Sequence, residues 1–285
     1  MKCVQTIAAA LLAILLMPCP PCRAGTNFVY SWNPASAAPQ RAVLYVPPPA
    51  GYRRIPVAEG SFGEWLRHLP LRPVGTPVRL HNGTLKGSQG SHHAVLDIDT
   101  GSRDLQQCAD AIIRLRAEYL YATGRTNAIH FNFTSGDLAA FARWAAGERP
   151  RITGNKVTWR KDAAPDDGYA NFRAYLDTVF TYAGTASLQK ELIARDTLAE
   201  VQPGDVFIDG GFPGHAVLVL DVARHEETGE LLVLLAQSYM PAQDIHILRN
   251  LVRTDLSPWF PLQEGATLRT PDWSFHAPIA RYFAE

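Results

Sequence analysis

The chain is poor in cysteine and shows no bias of charge. Among 285 residues there are four cysteines, and Cys3, Cys19 and Cys22 all fall in the first 24 positions. Lys+Arg and Asp+Glu both total 27, for a formal net charge of +0. That balance supplies no basic footprint for nucleic acid or for an anionic membrane surface. Long apolar runs are lacking too: the most hydrophobic stretch, Ile7 to Met17, is about half of the roughly 20 residues that span a bilayer. Internal repeats and low-complexity tracts are missing, so neither a solenoid nor a fibrous chain is indicated. With 47% hydrophobic residues, the sequence holds enough apolar material for a sizeable core.

What is present begins with an export signature. Lys2, the apolar run and the small-residue exit PCPPCRAGT have the layout of a secretory signal peptide over residues 1–24. Cleavage after Ala24 predicts a periplasmic or secreted protein, with lipid anchoring at Cys19 disfavoured by Pro18. Residues 25–60 are rich in Pro and Ala and read as a tether or loosely docked arm. A single α+β domain is expected over residues 61–285.

Within that domain, Ser61 followed by Glu64 marks a capped helix in SFGEWLRHLPL. HHAVLDIDTG alternates as a strand. A helix is expected from about Asp104 to Ala122, with Leu105, Cys108, Ile112, Leu115 and Tyr119 on one stripe and Arg114, Arg116 and Glu118 largely away from it. IHFNFT reads as a strand, Asp137 to Ala146 as a helix, and the last third as a sheet core of short aliphatic runs.

Loss of the signal leaves Cys108 as the one cysteine, which excludes an internal disulfide and leaves a thiol that is either inert or chemically employed. A helix N-terminus and a histidine both favour thiolate. His215 follows Gly214 and opens the strand GHAVLVLDVA. The turn near RHEETGE folds this strand back on the next, bringing His215 opposite residues 237–240. Gln237 is suited to orient the imidazole, with Ser238 favoured instead by a bulge and Asp244 held in reserve. Gln107, Gly214 and Tyr239 are the expected substrate-binding neighbours.

The run PGDVFI followed by GHAVLVLD resembles the histidine segment of NlpC-type papain-fold cysteine peptidases and amidases. That resemblance implies a central antiparallel sheet packed against a helix carrying Cys108 as nucleophile, with His215 as base and a third polar residue. The Cys-bearing run QQCADAI departs from the Asp-Cys-Ser-Gly pattern usual there. A more specific resemblance covers residues 55–285. RLRAEYL, the W-x-x-G-x-R-P-x-x-x-G-N stretch from Trp144 to Asn155, QPGDVFI and AQSYMPAQDIHIL resemble a family of exported bacterial proteins defined only as a domain of unknown function.

Other clusters compete. His92, His93, Asp97 and Asp99 carry metal-ligand groups, but the spacing suits neither a zinc D-Ala-D-Ala peptidase nor a calcium loop. Trp144, Trp159, Tyr169, Tyr239, Trp259 and Trp273 are candidates for lining a groove, although most such aromatics serve the core. His130 and His246 read as structural. The expectation is therefore a cysteine hydrolase acting on an amide bond, with peptide or peptidoglycan-like material as substrate and no cofactor, metal or nucleic-acid partner. The alternative is an inactive envelope protein of the same fold that binds peptide or glycan.

Overall fold

The computed structural model describes residues 28–33 and 41–284. The signal assigned to residues 1–24 lies outside the described residues.

Aliphatic runs in the last third of the sequence build the centre of the molecule. A hairpin of His215–His225 and Leu231–Gln237 forms the middle of a nine-stranded antiparallel sheet. Across the sheet the order is His92–Val95, His246–Leu248, Leu231–Gln237, His215–His225, Val206–Asp209, Ala280–Tyr282 and Ile193–Ala194. Tyr52–Arg54 pairs with the far end of His215–His225, and Trp259–Leu262 pairs with Leu231–Gln237. The hairpin strands are buried along nearly their whole length. That is why they read as continuous aliphatic runs, since a strand covered on both faces needs no polar alternation.

One face of the sheet is covered by α1 (Phe62–Arg67), α2 (Cys108–Ala122) and the elements between them, which pack on Ala216, Leu218, Leu220, Leu232 and Leu234. The other face carries Val217, Val219, Val222, Val233 and Leu235 against Phe260 and Phe275 from the C-terminal segment. Residues described within 41–60 are docked on the domain. Arg54 and Arg67 both bond the fully buried Asp221, and Trp259 donates its indole N–H to Pro47 O.

Two local expectations are corrected, and one charged helix face turns out to be covered. Helix α2 starts at Cys108 and not near Asp104, because Asp104 Oδ1 is taken by the backbone N–H of Ala242 and by Gln107 Nε2, holding residues 104–107 in a loop. The 137–146 segment begins as a strand, Leu138–Ala140, paired with His130–Asn132, before the short helix α3 (Phe141–Ala145). Arg114 and Glu118, expected away from the Cys108 stripe, are fully buried, and Arg116 is buried too. Helix α4 (Tyr169–Tyr182) closes over α2, so the two charges bond each other and reach Asp99, Gln106 and Tyr169. Buried charges persist only when paired in this way.

Candidate active site

Cys108 is the first residue of α2, where the N-terminal backbone N–H groups lack intrahelical partners and the helix dipole is positive. Gln107 is the N-cap, and its own N–H is taken by Asp110 Oδ2 at 3.1 Å. The thiol is half-buried and so is not sealed among aliphatic side chains. It lines a cavity of about 550 Å³ together with Gln107, Asp110, Gly214, His215, Tyr239 and Trp273. All the site residues expected from sequence except Gln237 line this one cavity, and Gln237 stands directly behind the His215 ring.

His215 is 1% exposed and opens its strand opposite Asp209. Its Nε2 lies 2.8 Å from Gln237 Oε1. The contact depends on an irregularity of the central hairpin. Leu234 pairs with Asp221 but Leu235 pairs with Val219, so Leu220 is an extra, unpaired residue. Such a bulge shifts the register by one, and a shift of one exchanges the faces of every side chain beyond it. The resulting Leu218–Ala236 pairing puts Gln237 on the face of Val217 and His215. An unbulged pairing of the same two strands would have put Ser238 there. Ser238 instead bonds Gln106 O and Gln243 O on the other side.

Behind Gln237 the sequence reading missed a further acid. Gln237 Nε2 donates to Asp272 Oδ2 at 2.7 Å, and the same oxygen accepts from the buried Lys86 Nζ at 2.9 Å, which also reaches Ser91 Oγ. A carboxylate only accepts, so the Gln237 amide turns its NH₂ toward Asp272 and its oxygen toward the ring. His215 is thereby fixed as the Nε2–H tautomer, leaving Nδ1 as the basic nitrogen. Only the TPDWSFH run hinted at Asp272, and nothing in spacing linked it to Gln237. Asp244, the reserve orienter, is committed elsewhere: it bonds Arg72 at 3.0 Å and the Arg79 N–H.

The imidazole sits in an aromatic box of Tyr239, Trp273 and Phe275, with centroids 5.0, 5.6 and 6.1 Å away. Trp273 is held by its N–H bond to Asp209 Oδ2. Of the six groove candidates, only Tyr239 and Trp273 line the cavity; Trp144 and Trp259 are buried, and Trp159 and Tyr169 pack against the core. Gly214 has no room for a side chain, since a Cβ there would lie 2.5 Å from both Gly211 O and Thr185 Oγ1. Exposed Phe212 and Met240 add apolar surface to the cavity lining.

Burial favours the neutral form of both groups. Burial pulls His215 down to about 4, against the Gln237 bond, which favours the charged ring. Burial and the nearby Asp110 carboxyl push the Cys108 thiol up, although the backbone N–H groups of Ala109 and Ala216 face the sulfur and favour its thiolate. The Ala216 contact places the sulfur beside the backbone that carries His215.

The metal-ligand group from the sequence disperses: His92 Nε2 contacts Thr76 O, Asp97 faces Arg72, and Asp99 bonds Arg114 and Arg173. Among the described residues no group of three or more His, Cys, Asp or Glu side chains is arranged to hold a metal ion. No helix among them is long and apolar enough to cross a membrane.

The molecule is thus a mixed α+β protein in which one large antiparallel sheet and the start of one helix bring a free thiol and a histidine to one cavity, with a glutamine bonded behind the histidine. The chain belongs to the family described as Domain of unknown function (4846), whose model matches residues 44–279. No curated protein and no solved structure matches it.

Proposed function

We propose that this chain is an exported cysteine hydrolase of papain-like, NlpC-like architecture, periplasmic or secreted, that cleaves an amide bond, with cell-wall peptide as its substrate class. The observation that carries the reading is the Nε2–H tautomer of His215, held by Gln237 and Asp272 in the cavity that the half-buried Cys108 thiol also lines.

In this reading His215 Nδ1 takes the thiol proton as Cys108 Sγ bonds to the carbonyl carbon, so thiolate forms only during attack. The oxyanion receives hydrogen bonds from backbone N–H groups at the start of α2, supplemented by Gln107 Nε2. Collapse breaks the C–N bond, and the imidazolium returns its proton to the departing amine. Water then loses a proton to His215 and attacks the thioester, releasing a carboxylate and restoring the thiol. The Gln237–Asp272–Lys86 chain holds the ring in place throughout.

One observation favours a second reading, an inactive relative that uses the cavity to bind peptide or glycan: burial raises the thiol and so suppresses its nucleophilic form. Treatment of the folded protein with p-nitrophenyl acetate decides between them. The hydrolase reading expects an acetyl group on Cys108 by mass spectrometry, turnover abolished in Cys108→Ala, and turnover lowered about 10²- to 10⁴-fold in His215→Ala. A thiol that reacts with neither this ester nor iodoacetamide until the protein is unfolded sinks the hydrolase and leaves the binding protein.

A further inference from the structure

The cavity has a charge preference that the proposed chemistry does not use. Its wall includes two carboxyl residues, Asp104 and Asp110, and neither a lysine nor an arginine. Asp104 is occupied, accepting from the Ala242 N–H and from Gln107 Nε2. Asp110 is different. It is 6% exposed, its Oδ2 accepts the Gln107 N–H, and its Oδ1 is buried with no hydrogen-bond partner.

An unmet buried carboxyl oxygen carries a desolvation cost that a suitable donor would relieve. Asp110 also lies two residues from Cys108 in the first turn of α2, so whatever it binds is held close to the attacked carbonyl. We infer that Asp110 is a specificity-determining residue that receives a free amino group of the substrate, selecting peptides whose amine lies next to the scissile acyl group over those in which it is blocked. The inference rests on the hydrolase reading for the scissile bond, but amine recognition itself does not require the thiol to react.

The chemistry of the empty site agrees. Burial pushes Asp110 up to about 8, so the unliganded carboxyl is held largely protonated near neutrality, and an ammonium group is the partner that would let it ionise. Asp104, Cys108, His215 and Tyr239 are the other titratable groups lining the same cavity, and none of them supplies a cation at neutral pH. An anionic ligand finds no counter-charge in this wall. A cationic amine finds in Asp110 a carboxyl that can ionise against it.

The test is binding of L-alanyl-L-alaninamide and of its N-acetyl derivative to the folded full chain, followed by calorimetry, in the native protein and in Asp110→Asn. The variant keeps an oxygen to accept the Gln107 N–H, and its folding is checked by circular dichroism. The expected result is a preference for the free amine of about tenfold to a hundredfold, as a charge-assisted hydrogen bond supplies, lost in Asp110→Asn. Equal affinity for the two peptides, no binding of either, or a preference that survives in Asp110→Asn overturns the inference. A preserved preference for the amine in a protein whose Cys108 stays inert to iodoacetamide overturns the hydrolase reading alone.

Discussion

The ionisation of Cys108 offers the sharpest test of how this site works. Burial together with the nearby Asp110 raises the Cys108 thiol above its ordinary value, while burial lowers His215 to about 4. A preformed thiolate–imidazolium pair requires the order of these two values to be reversed. Restoring His215 alone from about 4 to its ordinary 6.5 costs on the order of 3 kcal/mol at about 1.4 kcal/mol per pH unit, already more than one helix N-terminus returns, and the raised thiol adds to it. At pH 7 the thiolate is then a small minority, and it grows about tenfold with each pH unit until the raised thiol value is reached. The assay is the pseudo-first-order rate of iodoacetamide addition to Cys108, followed by intact mass from pH 5 to 10. A single alkaline rise is expected, and His215→Ala should leave the rate near pH 7 nearly unchanged, because the imidazole holds no charge with which to stabilise the thiolate. A plateau of reactivity between pH 5 and 7, abolished in His215→Ala, would refute the reasoning: it would mean that the paired ions form in the resting site.

Two further outcomes follow from the same geometry. Gln237→Ala leaves His215 Nε2 and Asp272 without their shared partner, so ester turnover at Cys108 should fall about 10- to 100-fold, in line with loss of a supporting residue, at a stability cost of roughly 1–3 kcal/mol; turnover within twofold of the native rate excludes an orienting role. Asp110 is an acid whose folded value is raised from 3.8 to about 8, so the folded chain binds more protons than the unfolded one between these limits and stability falls as pH rises through them. Asp110→Asn removes that dependence, and urea unfolding should show the variant gaining on the native protein by a few kcal/mol between pH 4 and pH 8.5. A difference that is flat with pH would place the titrating charge elsewhere.

How much of the site was legible in the sequence differs from residue to residue. Cys108 stood out because it is the one cysteine beyond residue 24, and the fold adds that it is the first residue of α2 and half-buried. His215 was marked by the Gly before it and the aliphatic strand after it, and both features survive in the fold. Gln237 was reached by pairing strands around a turn. That argument gives distance along the hairpin but not the face, because one unpaired residue changes the face and nothing in HAVLVLDVARH announces that Leu220 is unpaired. Asp272 and Lys86 escaped because they meet Gln237 only through long connections, and the burial of Arg114 and Glu118 escaped because the helix that covers them lies more than fifty residues further on.

Local chemistry alone therefore determined the class of the fold, the lack of a spanning helix among the described residues, the identity of the thiol and the order of thiol, imidazole and amide along the chain, since each follows from composition or from period over a few residues. Only the tertiary structure decided which amide faces the ring, which nitrogen of the ring is basic, and that burial disfavours the charged forms of both thiol and imidazole. Those outcomes are sums over remote neighbours: register accumulates along paired strands, a proton sits where the far end of a hydrogen-bond chain permits, and desolvation depends on everything packed around a group.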